Sequence, residues 1–285
     1  MLARTLEGGA TLAAMHDPRG LQARSNRESA GQWDGFEGHR RRVTGELCQG
    51  SGRLCVLGAG NANDLDLPAL LDAYREVHLG DIDGEALARG VERQGVAGRP
   101  GLRLHGNFDL TAMLDAMARW SPLATVAPAE LDAVVDWPAA RLGLALPGPF
   151  DLVASTCLLS QIVGNAHRAL GEGHPQLDRV AGAIRLGHLR LLASLARPGG
   201  RIVLITDVAS SDWVEGLADA PDSALEGVLA GLASGPGAIR GVHPADLVRL
   251  LRADPRLEAV ERSKPWRWRL HARVYLVVSI TGQRR

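Results

Sequence analysis

The chain has little to crosslink it and no charge of one sign to spare. Of its 285 residues only three are cysteines, Cys48, Cys55 and Cys157. None belongs to a CxxC pair, so a disulfide framework is excluded and a reducing, cytoplasmic setting is expected. Net charge is absent as well: 32 Lys and Arg stand against 32 Asp and Glu. That balance argues against a protein built to grip nucleic acid through a broad basic face. Lysine is nearly missing, with Lys264 the only one. No apolar run approaches the ~20 residues needed to span a bilayer. The opening stretch, MLARTLEGGATLAAMHDPRG, holds only the apolar piece TLAAM, too short for a signal-peptide core. What is present is a globular composition, 46% hydrophobic and 22% charged, which rules out wholesale disorder. This length fits one large α/β domain with a core that needs neither metal nor disulfide.

Periodicity divides the chain at about residue 50. Residues 28–50 read as one or two short helices closed by Gly50 and Gly52. From there strand and helix patterns alternate. RLCVLGAG (53–60) is a buried strand entering a tight turn, DLPALLDAYRE (66–76) a helix, VHLGDID (77–83) a second strand, GEALARGVERQG (84–95) a helix and LRLHGNF (102–108) a third strand. After an Ala/Pro-rich helical stretch at 111–149 come FDLVAS (150–155), the helix CLLSQIV, a Gly/His/Pro loop, a long helix at 178–196 and GRIVLITDV (200–208). An insert at 209–240 and a helix at 243–255 precede two antiparallel strands, 257–263 and 272–280, joined by PWRWRLH. Such alternation implies a Rossmann-like parallel sheet with helices on both faces. Seven strands are expected, the last antiparallel, with residues 1–45 as a helical lid and 46–285 as the main domain.

The chemistry concentrates in the first strand–helix turn, Leu57-Gly58-Ala59-Gly60-Asn61-Ala62-Asn63-Asp64. A GxG after a strand is a weak signal alone. Here Asp81 closes the next strand 23 residues after Gly58, close to the ~20-residue offset of an acid that takes the ribose hydroxyls of a nucleoside. Charge then selects the nucleoside. A dinucleotide needs its pyrophosphate against bare N–H groups at a helix N-terminus. This chain has Asn63 in place of the third glycine and puts Asp64 and Asp66 where the pyrophosphate would lie. Two like charges ~4 Å apart repel by about 4 kcal/mol at an effective dielectric near 20. A cofactor bearing ammonium and sulfonium groups is attracted instead.

With VLGAGNAND, VHLGDID, GNFD, FDLVAS and RPGGRIVLITDV in this order over roughly 50–283, the chain resembles the class I S-adenosylmethionine (SAM)-dependent methyltransferases. The resemblance implies that Gly58 and Gly60 let the backbone approach the methionine moiety, that Asp81 binds ribose, and that Asn107 and Phe108 flank adenine. It also implies that Ser155 and Thr156 line the transfer site. Asn63, Asp64 and Ser155 complete the expected cofactor contacts. The chain departs from the family pattern in the Asn-rich continuation after Gly60 and in Asn107, where an acid is frequent. No Asn-Pro-Pro-aromatic run follows the fourth strand, so a small-molecule acceptor is expected, with O-, N- or C-methylation all open. The rivals are an NAD-type oxidoreductase on a related fold and a non-catalytic partner protein of the same fold.

Acceptor-site candidates are Ser155, Thr156, Gln161, Trp33 and Trp213. In a chain with 3 Phe, 6 Trp and 2 Tyr, finding Trp33, Phe36 and Trp213 in the predicted cover segments draws notice. Cys157, Gln161 and Asn165 share one helix face. HRRR (39–42) reads as a solvated face, and Trp266 and Trp268 as core. His167, His174 and Asp178 match no metal-site spacing, so no metal is expected.

Overall fold

The computed structural model describes residues 17–232, 239 and 241–285. The expected lid is therefore seen from residue 17 onward, and 233–238 and 240 of the expected insert lie outside the described residues.

Two helices come first, α1 (Pro18–Ser29) and α2 (Glu37–Leu47), separated by a short 3-10 turn at Asp34–Phe36. The alternating region follows: β1 (Arg53–Leu57), α3 (Leu67–Ala73), β2 (Glu76–Gly80), α4 (Gly84–Arg93) and β3 (Leu102–His105). Aspartates start both helices. Asp66 accepts from Ala69 N–H and Asp83 from Ala86 N–H, satisfying donors that a helix N-terminus leaves unpaired. The second half continues with α5 (Leu114–Met117), α6 (Pro128–Ala145), β4 (Phe150–Thr156), α7 (Leu158–Leu170), α8 (Leu177–Leu195) and β5 (Ala196–Ser210). It ends with α9 (Leu225–Leu232), α10 (Pro244–Ala253), β6 (Leu257–Arg262), β7 (Trp266–Leu270) and β8 (Arg273–Arg284).

The sheet runs β3-β2-β1-β4-β5-β8-β6. Its first five strands are parallel, and β8 is antiparallel to both β5 and β6. Apolar side chains cover both faces, so β1 and β4 are buried almost end to end, as a parallel sheet between two helix layers requires.

The strand count is eight rather than seven. The segment expected to be a joining loop, PWRWRLH, contains β7, which pairs with the first half of β8 from Trp266↔Val277 to Leu270↔Arg273. At 12 residues, β8 is long enough to serve β7 near its start and β6 near its end. The WRWRL alternation is a period-two strand pattern. Its guanidinium face is satisfied by the insert, since Arg267 donates to Ala218 O and Asp222. A second difference lies in α7, which extends through the expected loop to Leu170. Ala166, Ala169 and Leu170 continue its buried face, and Gly171, at φ +82°, ends it.

Strand order reverses between β1 and β4: β2 and β3 build outward on one side, β5 on the other. Open α/β sheets bind ligands in the crevice at the carboxyl ends of the two strands flanking such a point. Among the described residues no helix is long and apolar enough to cross a membrane.

Candidate functional site

A cavity of about 210 Å3 occupies that crevice. The turn after β1 forms its floor. Gly58 has φ +81°, and a Cβ there would lie 2.8 Å from Leu158 Cβ, so no other residue fits without displacing α7. Gly58 and Ala59 N–H both donate to Gly80 O, and Gly60 N–H donates to Asp81 at 2.8 Å. The other Asp81 oxygen accepts from Asp83 N–H at 2.9 Å. One buried carboxylate thus fastens the glycine turn to the end of β2.

The asparagines of the same turn hold the cover. Asn61 Nδ2 donates to Asn26 O and Ser29 Oγ, and Asn63 Nδ2 to Ser29 O at 2.8 Å. Arg93 donates to the Asn63 carbonyl oxygen, and Asn26 reaches across to Asp83. Asn26 Oδ1 sits 3.1 Å from where a Gly60 Cβ would be. Asn63 lines the cavity, but its amide is committed to α1 and α4.

Asp64 and Asp207 are the two carboxylates lining this cavity, and no Lys or Arg side chain joins them among the described residues. Burial pushes the Asp64 carboxyl up to about 7, against the facing Thr156 hydroxyl and the Arg40 charge, both of which favour the carboxylate. Arg40 itself is turned to the carbonyls of Trp33 and Asn63, with its guanidinium stacked 3.5 Å over the Trp33 ring. Asp207, near the C-terminal end of β5, is also raised by burial and accepts from Ser160 Oγ at 2.5 Å. Buried carboxylates held above their ordinary range without a paired cation mark a site that favours a positive ligand. Thr156, 2% exposed, has no well-formed hydrogen bond for its hydroxyl, and the Gln161 carbonyl oxygen is likewise buried without a partner. Both residues line the cavity.

Aromatic rings close the far wall. His39 stacks on Trp268 with centroids 4.4 Å apart, and Phe36 and Tyr275 approach the same indole at 5.0 and 5.2 Å. Trp266 Nε1–H donates to His39 Nδ1 at 3.2 Å. An indole nitrogen only donates, so Nδ1 is unprotonated and Nε2 carries the hydrogen. That Nε2 lies 4.0 Å from Cys157 Sγ. Burial holds His39 down to about 3 and keeps the Cys157 thiol far above its ordinary range, the latter reinforced by Asp207. The two are neighbours, but not a nucleophile and its base. Cys157 adopts φ +47° at the start of α7, a left-handed strain typical of functional turns.

A narrower pocket of about 40 Å3 adjoins on the far side of Asp81, lined by Ile82, Phe108, Asp109, Leu158 and Gln161 among others. Asp109, two residues after the expected adenine contact Asn107, accepts from Thr111 and Leu114 N–H. Asn107 is exposed in the β3 turn at φ +57° and lines neither pocket.

Of the other residues singled out from sequence, Gly58, Gly60, Asn63, Asp64, Thr156 and Gln161 line the larger cavity, and Asp81 and Phe108 the smaller. Ser155 is fully buried with its hydroxyl 2.8 Å from His188 Nε2, facing α8 and away from the crevice. Trp33 sits under Arg40, and Trp213 is 61% exposed; neither lines the cavity. The HRRR segment is not a solvated face throughout. His39 is buried and Arg40 anchored, while Arg41 pairs in solvent with Glu37. Trp266 is core as expected, but Trp268 is a cavity wall. His174 uses both ring nitrogens structurally, donating to Ala124 O and accepting from Gln176 N–H. Asp207 and Asp109 carried a usable signal, an acid closing or closely following a predicted strand, as Asp81 does. His39 carried none.

No family model and no curated protein matches the sequence. Solved structures resemble its chain path at a distance. Magnesium protoporphyrin IX methyltransferase from Synechocystis PCC 6803, with bound SAH, is 14% identical, with a TM-score of 0.44 over 90% of this chain and 84% of that one. YcgJ from Bacillus subtilis is 13% identical, with a TM-score of 0.42 over 88% and 98%. The N-methyltransferase NodS from Bradyrhizobium japonicum WM9 is 13% identical, with a TM-score of 0.37 over 90% and 95%.

Proposed function

We propose that the chain is a SAM-dependent methyltransferase acting on a small-molecule acceptor. The observation that carries this reading is a crevice at the strand-order reversal lined by buried carboxylates and, among the described residues, by no Lys or Arg side chain. A pyrophosphate would meet uncompensated negative charge there. SAM, with one more positive than negative charge, would be drawn in.

The residues present fit the group. Asp81 keeps acceptor capacity for ribose hydroxyls beyond the two N–H groups it holds. Ile82, Phe108 and Leu158 would enclose adenine, with Asp109 near its polar edge. The Gly58–Gly60 backbone and Asp64 would take the methionine end, Asp64 opposite the ammonium. SAM supplies an electrophilic methyl carbon on a sulfonium. The chain's own work is to orient, exclude water and withhold competing nucleophiles. The protonated Cys157 thiol and the tautomer-locked His39 fit that role. The segment 1–45 would act as the lid, since α1 lies over Gly60 and is fastened through Asn61 and Asn63.

Titration calorimetry with SAM, S-adenosylhomocysteine (SAH), NAD and NADP tests the reading. Micromolar binding of SAM or SAH, about 8 kcal/mol, is expected. Binding of NAD with no heat from SAH at millimolar concentration would overturn it.

A further inference from the structure

We propose that the part of the cavity between Asp207 and the Phe36–Trp268–Tyr275 wall binds the acceptor, and that the acceptor is an aryl-alkyl amine entering as its ammonium. This rests on the methyltransferase reading and adds the substrate class.

A charge count across the crevice comes first. The cofactor's ammonium finds Asp64 beside the glycine turn, and its carboxylate and sulfonium offset each other. Asp207 remains, two strands away from β1 near the C-terminal end of β5, with no Lys or Arg among the described residues of the cavity to match it. Ser160 and the Cys157 thiol both bond to its carboxylate, whose two oxygens still leave lone pairs for a further donor. A buried carboxylate left without a countercharge is costly, and a ligand cation relieves that cost.

The wall opposite supplies an independent observation. Phe36 and Tyr275 come from two other elements and approach the Trp268 indole at 5.0 and 5.2 Å. His39 adds a fourth ring that is neutral, because Trp266 fixes its tautomer. A protonated histidine there would repel a cation; this one does not. Ring faces attract a cation and stack on a flat aromatic group, whereas an anion gains nothing from them. The Gln161 carbonyl oxygen, buried without a partner, lines the same cavity beside the Thr156 hydroxyl, which faces Asp64 and keeps lone pairs to accept. An ammonium has donors for both. It must also lose a proton before its nitrogen can act as a nucleophile: an N–H bond breaks, an O–H bond forms, and the Asp207 carboxylate is the acceptor in place.

The test uses the full chain saturated with SAH and three probes of one shape: 2-phenylethylammonium, 2-phenylethanol and 3-phenylpropionate. Affinities are read by calorimetry and tryptophan fluorescence. The ammonium should bind about tenfold or more tighter than the alcohol, as expected for a charge-assisted bond, and the carboxylate weakest. Asp207→Asn should erase the ammonium's advantage and leave SAH affinity within about twofold, whereas Asp64→Asn should weaken SAH. Trp268→Leu, which removes no charge, should weaken the ammonium more than the alcohol. Equal binding of the three probes, an advantage that survives Asp207→Asn, or equal weakening by Trp268→Leu would overturn the inference. If SAH does not bind, the methyltransferase reading fails by itself, and the same probes on the empty protein still decide whether Asp207 and the rings select an ammonium.

Discussion

On one side of the cavity, residues 58–66 and 80–83 are bound to each other largely through backbone N–H groups and short polar side chains. On the other side, His39 and Trp266 meet across 227 residues of chain, and Trp268, Phe36 and Tyr275 are assembled by packing. The first side is a local device, shaped by positive-φ glycines and strand ends. The second is tertiary, and each ring depends on the others for its place. Changes on the first side should therefore alter ligand affinity more than stability, and changes on the second the reverse. Asp64 belongs to the first side but is buried without a paired cation, so it should break this rule in an instructive direction.

The largest effect is expected there. An unfolded Asp titrates near 3.8, while folding raises Asp64 to about 7. A raised carboxyl makes the native state bind the extra proton between those values, so its penalty is absent in acid and complete above pH 7. Each unit corresponds to 1.36 kcal/mol, giving a penalty on the order of 4 kcal/mol at neutral pH. Asp64→Asn should raise the unfolding free energy of the empty protein at pH 7.5 while weakening SAH. It should also remove the share of stability that the wild type gains on acidification from pH 7 to 4. Denaturant titrations at three pH values measure this, and an unchanged pH slope would show that Asp64 is ionised at no cost.

His39→Ala attacks the tertiary side. It opens a void among the Phe36, Trp266 and Trp268 rings and strands the Trp266 N–H, a combined loss of about 3 kcal/mol. SAH affinity should stay within a few-fold if the two sides are independent. A large drop in SAH binding at full stability would mean that the aromatic wall also holds the cofactor. Asp81→Ala is the converse. It frees the Gly60 and Asp83 N–H donors and a ribose partner, so SAH should weaken at least tenfold, about 1.4 kcal/mol, with the fold retained. An unchanged dissociation constant would move the ribose contact elsewhere, with Asp83 the first place to look.

The same division explains what the sequence disclosed. VLGAG and HLGD announce themselves because a positive-φ turn needs glycine and a strand end presents its acid to the crevice, each a signal carried by a few consecutive residues. Ser155 faces away from the site for a simple reason: alternation along β4 sends neighbouring side chains to opposite faces, so only one of Ser155 and Thr156 can face it, and Ser155 meets His188. His39 sat in a run of arginines whose average polarity concealed one inward position. Its partner Trp266 lay in a segment expected to be a connector, and no spacing rule relates residues that far apart. Trp33 and Trp213 showed the opposite error, since an aromatic in a cover segment need not face what is covered.

The smallest predicted effect concerns Asn63, where a cofactor role and a structural one diverge. In the fingerprint of a dinucleotide site this position is glycine, because the helix must pack closely and leave its N–H groups bare. Here its amide nitrogen donates to Ser29 O and its carbonyl oxygen accepts from Arg93, so it ties α1 to the turn from both ends. Asn63→Ala removes both bonds, but Arg93 also donates to Ala30 O and stays partly satisfied. The net loss should be about 1 kcal/mol, felt as a local rather than global opening. Amide exchange within Pro18–Ser29 should accelerate about fivefold, since that factor corresponds to about 1 kcal/mol, with exchange in the sheet unchanged. SAH affinity should move by less than the effect of Asp81→Ala, because Asp81 and the glycines remain in place. Loss of SAH binding with α1 exchange unaltered would make Asn63 a direct cofactor contact and return the asparagine-rich turn to the cofactor's side of the comparison.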